Sequence, residues 1–183
     1  MSVELKDFYT STGLKFFAHQ EAMRNLQNGK GQPVVTHLMP TDLCNHTCAF
    51  CSVQTRAGET LPLADMFEYL EILMAFGLKA VIISGGGNPI LYRHGGYTFD
   101  HLVDGIHGRG LEIGLITNGM PLETVAGRRT WKGVHPHTLD KCTWIRISMS
   151  GFDHREDQVF VPDLDSSRTT LGFSYILHDI YQE

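Results

Sequence analysis

Five short apolar runs, separated by stretches of helical periodicity, constrain this chain more than any other feature. They are Val34–Met39, Lys79–Ser84, Leu111–Thr117, Thr143–Met149 and Leu171–Leu177. Lys79-Ala-Val-Ile-Ile-Ser84 is almost unbroken in apolar character, which is the mark of a strand covered on both faces. Between the runs, Leu63–Phe76 carries apolar residues at 63, 66, 67, 70, 73 and 74, with Gly77 behind it. Thr98–His107 does the same with Phe99, Leu102, Val103 and Ile106. Such spacing predicts helices. Strands alternating with helices of this length predict βαβ units, a parallel sheet and right-handed crossovers. The expected fold class is therefore α/β, with about five parallel strands. Helical spacing from Leu14 to Leu26, stopped at Gly29, predicts one further helix ahead of the sheet. The expected organisation is an N-terminal helical segment over 1–32 and a core domain over 33–183. A weaker helical stretch is expected at 121–129, a loop at 133–138, and an irregular, Asp-rich segment from Gly151 to Arg168.

The polar features gather behind the strands. Cys44, Cys48 and Cys51 follow the first run with the spacing C-x3-C-x2-C. Gly85-Gly86-Gly87-Asn88-Pro89 follows the second, Asn118-Gly119 the third, and Ser148 and Ser150 close the fourth. In a parallel sheet or barrel these are C-terminal strand ends, where sites are built. Three thiolates in one loop make a metal site. A structural zinc site wants four ligands, so zinc here would recruit His46, His37 or Cys142. An iron–sulfur cluster held by three cysteines leaves one iron open to another molecule. The triple glycine read alone is a tight turn, and the G-x-G-x-x-G of a dinucleotide fold is absent.

Composition narrows the rest. The chain has 183 residues, 42% hydrophobic and 19% charged, with net charge −5. That describes a globular domain with no basic surplus for nucleic acid. Met1–Asp7 has no apolar signal region, and no stretch approaches a membrane span. Three clustered cysteines and a fourth alone argue for a reducing, cytoplasmic setting with no disulfide framework.

Taken in order along the strands, these motifs resemble the radical S-adenosylmethionine (SAM) superfamily. The cysteine spacing with Phe50 before the last cysteine, the glycine run after strand two, Thr117-Asn118-Gly119 and Arg146-Ile-Ser148 all carry the resemblance. It spans roughly residues 33–177 and implies a partial, open (β/α) barrel. Asn88 departs from the family pattern, which usually places an acidic residue there. The resemblance further implies that Cys44, Cys48 and Cys51 hold a [4Fe–4S] cluster and that SAM binds its open iron. Reductive cleavage of SAM would yield a 5′-deoxyadenosyl radical that takes a hydrogen from the substrate. Phe50, Gly85, Gly86, Gly87, Asn118, Ser148 and Ser150 would bind SAM. Asn45, His46 and Thr47 would tune the cluster.

An external electron donor such as flavodoxin or ferredoxin is implied as a partner. The substrate class stays open among peptide, metabolite and nucleoside. The family barrel usually has six strands where five are read here. A truncation, a fragment completed by a second polypeptide, and a compact variant each account for that. A non-catalytic iron–sulfur or zinc protein with a binding or electron-transfer role is the alternative. Cys142 is expected as a core residue. Arg146, on one strand face with Trp144 and Ser148, is expected to need a partner such as Glu112 or a ligand carboxylate.

Overall fold

The computed structural model describes residues 19–149 and 160–176. Five strands make one parallel sheet: β1 (Val35–Leu38), β2 (Ala80–Ile83), β5 (Glu112–Thr117), β8 (Trp144–Ser148) and β9 (Thr170–Ser174). They lie side by side in chain order, so every crossover steps in the same direction. This is the strand order of an opened barrel, as the α/β expectation required. Helices α2 (Leu63–Ala75) and α3 (Phe99–Gly108) are the crossovers from β1 to β2 and from β2 to β5.

Register sorts the side chains into two faces. Leu38, Ile83, Leu115 and Ile145 stand in one lateral row, and all four are buried. They join Val81, Ile113 and Ile147 in a single core with Met66 and Leu70 of α2 and Leu102, Val103 and Ile106 of α3. The neighbouring row, His37–Ile82–Gly114–Trp144–Thr170, points the other way and is more open. There Gly114 makes room for Trp144. A Cβ at Gly114 would sit 2.2 Å from the indole Cζ2, so the ring packs directly against β5.

The helix stop read at Gly77 has a specific construction. Gly77 takes φ 101°, its N–H bonds the Met74 carbonyl, and the Leu78 N–H reaches back to Leu73. These are the two bonds of a Schellman cap, and Leu73–Leu78 is its usual apolar contact. The same pair of bonds closes α1 (Gln20–Gln27) around Gly29. The earlier half of the expected N-terminal helix, the tail of the fifth strand, the first half of the Asp-rich segment and Ser150 lie outside the described residues.

Two expectations are corrected. Residues 121–129 are not helical: β6 (Leu122–Val125) and β7 (Arg128–Trp131) form a hairpin. Ala126 and Gly127 both take positive φ (51° and 78°), the signature of a two-residue type I′ turn. The helical spacing there was short, and Thr124, Val125 and Thr130 favour strand. The loop at 133–138 contains a single helical turn, α4 (Pro136–Leu139), started by Pro136 and capped by His135 Nδ1. A second hairpin, β3 (Arg93–His94) with β4 (Tyr97–Thr98), turns through Gly95-Gly96. No helix among the described residues is long and apolar enough to cross a membrane.

Helices α2 and α3 meet at Gly105. A Cβ there would come within 2.0 Å of Phe67 Cζ. The Arg109 guanidinium, 4.1 Å from the centroid of the same ring, is tied to Glu71 at 2.7 Å. The ring is therefore held between Gly105 and the Arg109 guanidinium. Gly105→Ala is expected to lower unfolding stability by about 1–3 kcal/mol, despite alanine's better helix propensity. Urea denaturation checks this, and an unchanged or raised midpoint would contradict the packing described.

Candidate functional site

The cysteines sit in a loop whose base is pinched shut. Thr41 and Thr60 form an isolated bridge, Leu61 N–H bonds the Pro40 carbonyl, and Asp42 N–H bonds the Glu59 carbonyl. The Thr41 hydroxyl donates to the Glu59 carbonyl and accepts from the Leu43 N–H. Asp42 Oδ2 accepts from the Ala57 N–H at 2.8 Å. Within the loop Cys44, Cys48, Cys51 and Phe50 are all half-buried. The Cys51 N–H bonds the Cys48 carbonyl, a tight turn that brings these two residues together.

The glycine turn after β2 is stitched to this loop. The Asn88 N–H donates to the Leu43 carbonyl at 2.7 Å. A Cβ on Gly87 would lie 2.0 Å from that same carbonyl oxygen. Gly87 is thus required by the protein's own backbone. Gly85 is crowded by the turn itself, at 2.7 Å from the Gly87 carbonyl. Gly86 alone leaves ordinary space, its nearest neighbour being Val53 at 3.5 Å.

Asn88 is the centre of the seam and only 1% exposed. Its Oδ1 accepts from the Thr117 hydroxyl at 2.7 Å. Its Nδ2 donates to Asn45 Oδ1 at 3.1 Å and to the Gly119 carbonyl at 3.4 Å. One amide therefore joins the cysteine loop, the glycine turn and the exit of β5. An acidic side chain in this slot would lack the donor that two of those three bonds need.

The side chains of Asn118 and Arg56 reach cysteine sulfur. Asn118 Nδ2 lies 3.5 Å from Cys44 Sγ, and its Oδ1 is buried without a protein partner. Arg56 Nη2 lies 3.1 Å from Cys51 Sγ, while Arg56 Nε donates to the Gly86 carbonyl at 3.2 Å. Sequence reading missed Arg56. Its only signal was a lone cation in a cysteine loop otherwise poor in charge. Ser148 is half-buried at the end of β8, beside Ser174 of β9.

Among the described residues, no three His, Cys, Asp or Glu side chains converge as ligands for one metal ion. The thiols share the loop but not a single-ion geometry. A cubane spreads its sulfur ligands more widely than one ion does. The donor set, the N–H groups aimed at sulfur and the orphaned Asn118 oxygen fit a cluster with a small polar molecule beside it.

Cys142 is a different kind of thiol. It is 1% exposed at the start of β8, bonded to the Thr138 carbonyl, and burial pushes its pKa up to about 12. Arg146 is exposed, with its guanidinium 6.0 Å from the Trp144 ring centroid. Among the described residues it pairs with that ring and makes no ion pair with Glu112. An open cavity of about 420 Å³ lies elsewhere, lined by Arg128, Asp140, Asp163 and Arg168. Its charges are paired, Arg128 with Asp140, Asp163 with Arg129 and Arg168 with Asp165, and the hydrogen bond from Arg128 holds the Asp140 carboxyl below the usual range.

Comparison with known proteins decides the family. Residues 38–157 match the Radical SAM superfamily, more than half of the chain. The chain belongs to the radical SAM superfamily. GTP 3′,8-cyclase from Helicobacter pylori (strain J99 / ATCC 700824) is 33% identical over 139 residues, covering 72% of this chain and 39% of that protein. The 7-carboxy-7-deazaguanine synthase of Hyperthermus butylicus is 28% identical over 96 residues, covering 50% of this chain and 38% of that protein. The chain thus spans about two fifths of these curated relatives. Among solved structures, Streptococcus suis SuiB bound to S-adenosylmethionine matches with TM-score 0.51 and 18% identity, covering 72% of this chain and 29% of SuiB. SuiB bound to the precursor peptide SuiA matches equally well. The SuiB likeness shows the shared partial-barrel fold.

Asn88 offers a direct test of the seam. Asn88→Asp puts a carboxylate where the Gly119 carbonyl and Asn45 Oδ1 need a donor. At neutral pH it is expected to cost about 1–3 kcal/mol. The introduced carboxyl is more easily accommodated protonated, so its folded pKa is raised above the unfolded value of about 3.9. The variant should approach wild type below that value and lose stability as pH rises through the folded pKa. Urea denaturation across this range checks it, and a penalty independent of pH would contradict the assigned bonds.

Proposed function

We propose that this chain is a radical SAM enzyme in which Cys44, Cys48 and Cys51 hold a [4Fe–4S] cluster. The observation that carries the proposal is three half-buried cysteines in one pinched loop, with N–H donors on two of their sulfurs and the stitched glycine turn beside them at one end of a parallel sheet. Family membership supports SAM-dependent radical chemistry in general.

When bound, the cluster would supply the electron that cleaves SAM and frees a 5′-deoxyadenosyl radical for hydrogen abstraction. The chain's own residues would bind and orient. The backbone of Gly85, Gly86 and Gly87 would meet the methionyl part of SAM, with Gly86 having the most room. The buried Asn118 Oδ1 would accept a hydrogen bond from bound SAM, and Ser148, with Ser150 beyond it, would donate to the ribose or carboxylate. Phe50 would lie near the adenine. The electron would come from a donor such as flavodoxin or ferredoxin.

The substrate would face the open side of the sheet, where Trp144 packs against Gly114 with Arg146 beside it. An aromatic surface and a cation suit a planar anionic compound. One matched relative is named for GTP and the other for a deazaguanine, which supports a purine-type substrate.

Anaerobic reconstitution with iron and sulfide tests the function. The wild-type chain is expected to become brown and to form 5′-deoxyadenosine from SAM after reduction. Cys44→Ala, Cys48→Ala and Cys51→Ala should each abolish both, while Cys142→Ala keeps them. A colourless protein with one tightly bound zinc and no 5′-deoxyadenosine would overturn the proposal. Purine nucleotides are the first compounds to add, since a substrate raises the 5′-deoxyadenosine yield above the uncoupled level.

A further inference from the structure

We infer that Arg56 sets the reduction potential of the cluster by holding a positive charge against one ligand sulfur. The inference rests on the reading of Cys44, Cys48 and Cys51 as cluster ligands. Its geometry is independent of that reading. Arg56 is half-buried, five positions after Cys51, and its guanidinium makes two directed bonds. Nη2 donates to Cys51 Sγ at 3.1 Å, a short contact for sulfur. Nε donates to the Gly86 carbonyl at 3.2 Å, so the fork is anchored from the other side by the glycine turn. Among the described residues Arg56 makes no ion pair with a carboxylate.

The chemistry follows from what ligation does to Cys51. As a free thiol it donates to the Val53 carbonyl at 3.4 Å. A ligand must be the thiolate, so that proton leaves and that bond with it. The Arg56 bond remains and becomes charge-assisted, an always-protonated guanidinium on a sulfur carrying negative charge. Hydrogen bonds to sulfur and net charge are the levers by which a protein tunes such a cluster. Reduction adds one negative charge to the cluster. A fixed cation at hydrogen-bond distance favours the reduced form and raises the potential. Asn118 offers a neutral N–H to Cys44 Sγ at the longer distance of 3.5 Å, and its effect is correspondingly smaller.

The test compares reconstituted wild type, Arg56→Gln, Arg56→Lys and Asn118→Ala by anaerobic redox titration, with iron and sulfide content measured on each. At a fixed poise, Arg56→Gln is expected to lower the reduced-to-oxidised ratio at least about tenfold, which is 59 mV more negative for a one-electron couple. Arg56→Lys keeps a cation without the anchored fork and should fall between wild type and Arg56→Gln. Asn118→Ala should shift less than Arg56→Gln. A wild-type ratio in both Arg56 variants overturns the inference, as does a wild-type ratio in Arg56→Lys should Arg56→Gln take up no cluster. A wild-type chain that takes up no cluster overturns the cysteine assignment and leaves no potential for Arg56 to set.

Discussion

The rest of the site depends on the contact between Gly87 and the backbone of Leu43. Two segments from different strands touch there with no side chain between them. The Asn88 N–H closes on the Leu43 carbonyl at the same point. A loop of irregular backbone would otherwise cost conformational entropy with little to offset it. Here it is fixed by three things: the Thr41–Thr60 pinch at its base, the glycine contact at its middle and the Asn88 amide at its flank. All three lean on β1, β2 and β5, adjacent in the sheet. The parallel sheet is therefore the jig that brings the loop ends together.

This explains which parts of the chain could be read before folding. Strands Lys79–Ser84 and Leu111–Thr117 announced themselves by their apolar runs, although the face that carries Ile82 is only partly covered in the sheet. Gly29 and Gly77 announced helix ends because a Schellman cap needs a positive φ. The hairpin at 122–131 was hidden. Its turn is Ala126-Gly127, and Ala126 gives no hint of a left-handed backbone. Short two-stranded pieces packed on a larger core have little periodicity of their own.

The site was legible in outline and not in its wiring. The residue types at the strand ends were visible, because parallel sheets place them there whatever the loops do. The contacts between these loops join residues 29 to 74 positions apart, such as Thr117 with Asn88, Gly86 with Arg56 and Cys44 with Asn118. No local pattern encodes such pairs. The glycine run shows the limit well. Gly85, Gly86 and Gly87 are alike in sequence, yet one packs on its own turn, one is comparatively open and one is pressed against the neighbouring loop.

The departure at Asn88 then has a physical reading. An acidic residue in this slot would present two acceptors and a charge to the site. Asn88 presents one acceptor and one donor group, and Asn45, Thr117 and Gly119 use both. The Asn88 side chain is thus spent on the protein itself, holding the cysteine loop against the exit of β5. The charge that the slot lacks has no counterpart at 88, but the site does hold a half-buried charge of opposite sign in Arg56. A neutral amide at the seam with a cation on the thiol leaves the pocket more positive than an acidic seam would. That balance favours a negatively charged occupant.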